Sequence, residues 1–447
     1  MSRIETDFHK RAKELTFETK AFIDGKFVDA ESGKTFETLN PATGQLLAKV
    51  AECDAADVDS AVEAARRAFE AGSWSGMGPR QRKKILLRFA DLIEQNLTEL
   101  AVMETQDCGK PITDSLTLDL PDTIETLRWH AEAIDKIYDQ ISPTQRDVVS
   151  MIVREPIGVV GTVLPWNFPL FVAMWKIAPA LAGGNSLIVK PAEQTPLTAL
   201  RLAALAAEAG IPEGVFNVVP GFGETAGQRI GRHLDIDCVS FTGSGEVGRH
   251  FLKYAAESNM KRIVLECGGK SPAIVMADVA DLQMVAEQIA SGILFCQGEN
   301  CSASSRLIVH EKVKDRLLEK ITPTFESWRV GDPLDEATKI GALIEERHLD
   351  KVLSYIDIGK KEGAKVALGG NRVLKETGGY FVEPTVFDGV SNGMQIAREE
   401  IFGPVLSVIE FAVPFGGFKA SGFGGKDKSL MAHDQYTEVK TIWIQLR

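Results

Sequence analysis

No apolar run in the 447 residues is long enough to span a bilayer. The opening Met1-Ser-Arg-Ile-Glu-Thr-Asp has nothing of the layout of a secretory signal. Cysteine is scarce. Cys53, Cys108, Cys238, Cys267, Cys296 and Cys301 show neither a disulfide framework nor zinc-ligand spacing. Free thiols of this kind suit a reducing compartment, and the cytoplasm is the expected location. Positive charge is also short. Fifty Lys and Arg against 62 Asp and Glu leave a net charge of −12, which argues against nucleic acid or an anionic membrane surface as the main partner. Present instead is the composition of a soluble globular protein, 44% apolar and 25% charged, with length for two or three domains around a large core.

Residues 1–20 read as a charged lead-in, and Phe22-Ile-Asp-Gly-Lys-Phe-Val28 as a hairpin turning at Asp24-Gly25. Asp54 caps a helix whose apolar positions Val58, Ala61, Val62, Ala65 and Phe69 recur at helical spacing. Further helix is expected over 79–97 and 121–140, then an extended ribbon over 141–156. From 157 onward short apolar runs (Ile157–Leu164, Ser186–Val189, Phe216–Val219, Cys238–Phe241, Ile263–Leu265) alternate with helix-like segments. That pattern predicts an α/β fold with a doubly wound sheet. A second alternating set follows Glu266: Ala273–Met276, helix 282–295, Leu307–Val309, helix 312–328 and a strand near Tyr380–Phe387. The expected organisation is a Rossmann-type cofactor domain over 1–140 and 157–265, a catalytic α/β domain over 266–430, and an arm from 141–156 and 431–447.

Two stretches carry chemistry. Phe295-Cys-Gln-Gly-Glu-Asn-Cys-Ser302 sets Cys301 in a polar loop between a helix and a strand, where a thiol can meet a substrate. Taken alone, Cys301 reads as one more small buried hydrophobe. Leu265-Glu-Cys-Gly-Gly-Lys270 closes an earlier strand with a carboxylate, Glu266, before two glycines. A thiol with a carboxylate can make a thioester and then hydrolyse it. Gly243-Ser-Gly-Glu-Val-Gly248 follows a strand and opens a helix, the setting in which G-x-G-x-x-G holds a pyrophosphate, or merely packs a turn. Gly221-Phe-Gly223 follows another strand without that spacing. Lys190 and Glu193 leave a strand end, as a surface ion pair or a ligand contact.

Six motifs in order resemble the NAD(P)-dependent aldehyde dehydrogenase superfamily: Pro165-Trp-Asn-Phe-Pro169, Lys190-Pro-Ala-Glu193, Phe241-Thr-Gly-Ser244, Glu266-Cys-Gly-Gly-Lys270, Gly298-Glu-Asn-Cys301 and Glu400-Ile-Phe-Gly-Pro404. Within it the chain is similar to the bacterial aminoaldehyde dehydrogenases of polyamine breakdown, such as the γ-glutamyl-γ-aminobutyraldehyde enzyme.

The resemblance implies that Cys301 is the nucleophile, Glu266 the base that activates water, and Asn167 an oxyanion donor together with the Cys301 backbone N–H. Lys176 and Asp427 would relay to the base. Lys190 and Glu193 would bind the adenosine ribose of NAD, with NADP the weaker partner because a carboxylate repels a 2′-phosphate. Gly223, Gly243, Ser244, Val247 and Trp166 would complete the cofactor contacts, with Glu400 at the nicotinamide ribose and Phe402 beside the ring. Phe168, Trp175, Phe295 and Phe415 would line the aldehyde tunnel, and Asp122, with Asp119 nearby, would favour substrates bearing an ammonium or amide. No metal is required. The ribbon and tail imply a homodimer or homotetramer. Two rivals remain open: a CoA-acylating aldehyde dehydrogenase, which Glu266 disfavours, and a catalytically inactive structural relative.

The sequence departs from the family at two places. Ser421-Gly-Phe-Gly-Gly-Lys426 stands where relatives have Ser-Gly-x-Gly-Arg. Phe411 is followed at once by Ala412, where relatives carry several dozen further residues. Both flanks keep their motifs, Glu400 to Pro404 before and Pro414-Phe-Gly-Gly-Phe-Lys419 after. We read the junction as joining pieces of a longer protein, with a true deletion as the alternative.

Overall fold

The computed structural model describes residues 7–411 and the backbone of 437–445. β1 (Ala21–Ile23) and β2 (Lys26–Val28) form the expected hairpin, with Asp24 at φ 52° and Gly25 at φ 77°. Positive φ at both central residues matches the turn to the twist of the strands, and Asp-Gly tolerates it. α1 (Ala55–Glu70) begins in a capping box: Asp54 accepts from the first turn, while the Asp57 carboxylate accepts the Asp54 N–H at 2.9 Å. Its Val58, Ala61, Val62 and Ala65 are buried.

α2 (Pro79–Gln95), α3 (Leu97–Cys108) and α4 (Leu120–Ala133) follow. α4 stops well short of residue 140, because the chain is drawn off into the ribbon. Lys136 Nζ closes on the Glu132 carbonyl at 2.6 Å, and Asp139 accepts the Arg154 N–H at 3.0 Å. The ribbon is β3 (Gln140–Ser142) and β4 (Val148–Pro156), paired antiparallel.

β5 (Val159–Val163), α5 (Pro169–Ala182), β6 (Ser186–Lys190), α6 (Leu197–Ala209), β7 (Phe216–Val218), β8 (Cys238–Gly243), α7 (Gly245–Ala256) and β9 (Arg262–Cys267) build the first main sheet, within two residues of the expected strands. Its order is β9-β8-β5-β6-β7-β1-β2, parallel until the hairpin joins β7. β5 and β6 are buried at every residue, as strands covered on both faces must be. The chain runs β5 to β7 in one direction and then returns to β8 on the other side of β5. Open α/β sheets bind ligands at such a switch point, outside the carboxyl ends of the strands.

The second unit comprises β10 (Pro272–Val275), α8 (Leu282–Leu294), β11 (Arg306–His310), α9 (Glu311–Glu326), α10 (Glu346–Lys361), β12 (Lys365–Leu368), β13 (Thr385–Asp388) and β14 (Val405–Phe411), in the order β10-β11-β14-β13-β12. The sequence reading did not assign α10, β12 or β14. β14 lies at the centre of this sheet with Val405, Leu406 and Val408 wholly buried. Among the described residues β10 pairs on one side only, with β11. Ile274 and Met276 are exposed there, beside a groove of about 470 Å³ between β10 and α8. β15 (Thr437–Gln445) pairs antiparallel along the whole of β4, so the ribbon and the tail form one three-stranded sheet. Among the described residues no helix is long and apolar enough to cross a membrane.

Candidate active site

A cleft of about 390 Å³ opens at the switch point, between the two units. The first sheet contributes its strand ends: Asn167 after β5, Lys190 at the end of β6 with Glu193 beyond it, Gly243 at the end of β8 with Ser244 beyond it, and Glu266 in β9. The second unit contributes Cys301, His348, Glu400 and Phe402.

The loop after α8 is sharply turned. Cys296 (φ 50°), Gln297 (φ 55°) and Gly298 (φ 74°) are all left-handed, a conformation that costs a residue with a Cβ about 1–2 kcal/mol. Contacts hold it there. Glu299 N–H donates to the Cys296 carbonyl at 2.8 Å, and Gln297 Nε2 to the Ala342 carbonyl at 3.3 Å. Gly298 packs so closely on Gly403 that a Cβ there would collide with its backbone. The turn separates the two thiols. Cys296 is buried, its sulfur 3.5 Å from the Asn167 carbonyl, while Cys301 is exposed on the cleft. The surrounding protein, then the negative Glu400 and Glu266, hold the Cys301 thiol above its ordinary pKa. The Cys301 and Ser302 N–H groups pull it the other way.

Asn167 is almost wholly buried, and its Nδ2 donates to the Glu299 carbonyl at 2.7 Å. An amide nitrogen has two N–H groups, so among the described residues one is left over, on a side chain that lines the same cleft as Cys301. Lys176 is fully buried on α5 and donates to Ser240 Oγ at 3.1 Å. Phe168 stacks on Phe295 at 5.8 Å, and Phe171 packs against Trp175 at 4.6 Å, forming an aromatic group beside Cys296. Behind Phe168 stands Lys110, its Nζ 4.2 Å from the ring centroid, paired with Asp119 and, at 3.6 Å, with Glu104. Asp119 is therefore a buried partner of Lys110, not a substrate-facing acid. Asp122 is half-buried in the first turn of α4. Phe415 and Asp427 lie outside the described residues.

On the cofactor side, buried Lys190 donates to Glu193 at 3.2 Å, and burial lowers its pKa. Ser244 caps α7 by accepting the Val247 N–H at 3.2 Å. A Cβ on Gly223 or Gly245 would meet nothing within 4 Å, so internal packing does not require bare glycines there. Open backbone at a helix N-terminus fits the approach of a phosphate. Glu400 accepts the Gly269 N–H at 3.2 Å, and burial raises its pKa. Phe402 has φ 63° and meets Trp166 edge-to-face at 5.3 Å. Two carboxylates (Glu193, Glu400), the amides at the start of α7 and the Phe402 ring in one cleft suit a dinucleotide. Sequence reasoning missed His348, Lys351 and Gln194, which also line the cleft, and Glu299 beneath the loop.

Residues 27–413 match the model of the aldehyde dehydrogenase family. The chain is 53% identical over 484 residues to an aminoacetaldehyde dehydrogenase of Pseudomonas aeruginosa, covering 97% of each. It is 44% identical to the NADP/NAD-dependent aldehyde dehydrogenase PuuC of Escherichia coli, over 98% of this chain and 97% of that one. Its fold superposes with a TM-score of 0.96 on an indole-3-acetaldehyde dehydrogenase of P. syringae in complex with NAD+, at 48% identity over 98% of this chain and 99% of that one. The 484-residue match to the first is longer than the 447 residues of this chain, so that enzyme carries residues that are missing here.

Proposed function

The chain belongs to the aldehyde dehydrogenase family, and from that premise we propose that its substrate is a small aminoaldehyde, of the kind released in polyamine breakdown. Oxidation of an aldehyde to the carboxylate with NAD is the activity that membership brings. The observation that carries the finer reading is the 53% identity to an aminoacetaldehyde dehydrogenase along 97% of both chains.

In this proposal Cys301, as thiolate, adds to the aldehyde carbon. The oxygen that becomes negative is met by the free N–H of Asn167 and by the Cys301 backbone N–H, a contribution of the kind often worth about 3–4 kcal/mol. Bound NAD supplies the hydride acceptor. Loss of hydride from the thiohemiacetal leaves a thioester on Cys301. Glu266 takes a proton from water, the oxygen attacks the thioester, and the acid departs as the thiol returns. Lys176 and Asp427 orient the base. Lys190, Glu193, Gly223, Gly243, Ser244, Val247 and Trp166 would hold the cofactor, and Glu400 and Phe402 would meet its nicotinamide portion.

Phe168, Trp175 and Phe295 face the aldehyde's chain, and the family resemblance adds Phe415, outside the described residues, to the same tunnel. The Trp175 indole N–H is buried with no acceptor among the described residues, which suits a polar substituent. Asp122 selects for the ammonium. The test is a panel of aldehydes with NAD on the unmutated protein and on Asp122→Asn. Aminobutyraldehyde should be preferred over butyraldehyde by the former and less so by the latter; equal selectivity in both removes Asp122 from the proposal.

The same reading places the protein in the cytoplasm as a homodimer or homotetramer, with residues 1–140 and 157–265 binding NAD and 266–430 catalytic. Residues 141–156 and 431–447, to which most of the β3–β4–β15 sheet belongs, are the arm through which copies join. Light scattering at micromolar concentration should show no monomer.

A further inference from the structure

We propose that His348 is a positioning residue for hydride transfer, acting through the backbone of Phe402. The inference rests on the reading above, in which the Phe402 ring lies beside the nicotinamide.

His348 sits in the first turn of α10, 8% exposed, with Nε2 2.6 Å from the Phe402 carbonyl oxygen. A carbonyl only accepts, so Nε2 carries the hydrogen. The same nitrogen is 3.6 Å from Glu299 Oε1, too far for a second hydrogen bond, and that oxygen already accepts the Ile344 N–H at 3.0 Å. Burial drives the imidazole pKa down to about 4, so the ring is a neutral donor at working pH. Two rings also pack against it edge-to-face, Trp166 at 5.3 Å and Phe402 at 6.1 Å.

Phe402 needs such a holder. A bulky residue at φ 63° is strained by about 1–3 kcal/mol and stays there only when its surroundings over-determine it. On one side Gly403 is wedged between Gly298 and Val352. On the other, the Phe402 carbonyl is fixed by His348. The result is an aromatic ring turned into the cleft against Trp166.

The segment ahead of His348 grips the nucleophile loop too, with the Gly341 N–H on Gln297 Oε1 at 3.4 Å and the Ile344 N–H on Glu299. One short stretch therefore fixes the thiol loop and the Phe402 loop in relation to each other. The hydrogen bond of His348 goes to the Phe402 side, whereas Gln297 and Glu299 are bonded within the thiol loop and to the segment ahead of His348.

The test compares His348→Leu, His348→Gln and His348→Asn in the full chain. Leu has no donor, the Gln amide reaches the carbonyl, and the shorter Asn amide does not. His348→Leu should raise KM for NAD and slow hydride transfer, each by about three- to tenfold, the loss of one hydrogen bond. A deuterated aldehyde should then show a larger isotope effect on kcat. His348→Gln should recover most of both. Hydrolysis of p-nitrophenyl acetate without NAD, which needs Cys301 and water but no hydride transfer, should stay within about twofold in all three. If His348→Leu does not fold, the Gln and Asn pair makes the same comparison.

Unchanged NAD kinetics in His348→Leu, or in the Asn variant where that stands in for it, overturn the inference. So does a parallel loss of ester hydrolysis, which would make the residue a general support of the loop. Absence of NADH formation by the unmutated protein would instead sink the reading on which the inference rests.

Discussion

The side-chain amide of Asn167 donates to the Glu299 carbonyl at 2.7 Å, and that bond ties the end of β5 to the loop presenting Cys301. The two units meet here through a buried polar contact, so the distance between the asparagine and the thiol is not left to surface loops. A reaction needing both groups on one carbon is served by such rigidity.

Cys301→Ala should abolish NADH formation, while Cys296→Ala should keep most of it and lower the melting temperature. The buried Cys296 side chain packs with Phe168 and Val172, and removing its sulfur costs about 1–2 kcal/mol. Steady-state assays with thermal unfolding check both halves. Near-normal turnover by Cys301→Ala would falsify the covalent mechanism.

Burial, then Glu400 and Glu266, raise the pKa of the Cys301 thiol. Since the thiolate is the reactive form, alkylation by iodoacetamide should speed up with rising pH, with a midpoint above the ~8.5 of a free cysteine. Glu266→Gln removes one of the negative charges and should move that midpoint down. The same variant should slow turnover by about 10²- to 10⁴-fold yet keep an NADH burst of about one per active site. A midpoint that does not move would take Glu266 away from the thiol.

If Glu193, held by Lys190 at 3.2 Å, binds the adenosine ribose as proposed, its carboxylate repels a 2′-phosphate and NAD should be used in preference to NADP. Glu193→Gln should narrow the ratio of kcat/KM values by about tenfold, the effect of roughly one unit charge repelled at close range. Equal kcat/KM for both cofactors in the unmutated protein contradicts the assignment.

Intact mass addresses the Phe411-Ala412 junction. The family match ends at residue 413, and the similar Pseudomonas enzyme carries residues that this chain lacks. If the flanks belong to a longer protein, the molecule purified from its source should be clearly heavier than 48.7 kDa. A mass at that value makes the deletion real and predicts a weak or inactive enzyme.

What could be read in the sequence followed burial. Strands covered on both faces announce themselves as short apolar runs, and Ser186 to Lys190 is buried throughout. Cys301 and Glu266 stood out because a thiol in a polar loop and a carboxylate before two glycines are locally odd. His348 carried no such mark. It lies in an ordinary helix start, Glu345-Glu-Arg-His348, and its partner is 54 residues away in sequence. Glu299 passed as a loop polar, because only the fold shows that its carboxylate is sealed against Ile344 N–H. Asp119 was expected near the substrate beside Asp122, and only the fold shows Lys110 against it. β14 was apolar enough to notice, yet nothing local says that it is the middle of a sheet.

Among the described residues β10 is paired on one side only, and that has a colloidal consequence. A strand paired on one side offers its outward N–H and C=O groups to any extended segment that reaches it. Here Ile274 is 51% exposed beside the apolar groove, so a visiting strand would also gain side-chain burial. Samples of the 447-residue chain should therefore turn cloudy at lower concentration than their net charge of −12 suggests. A single Ile274→Lys, which puts a charge on that rim without touching the cleft, should raise the threshold in a turbidity titration; no change would place the sticking surface elsewhere. On this expectation, how much of the molecule can be kept in solution is set at the edge of the second sheet and not in the cleft.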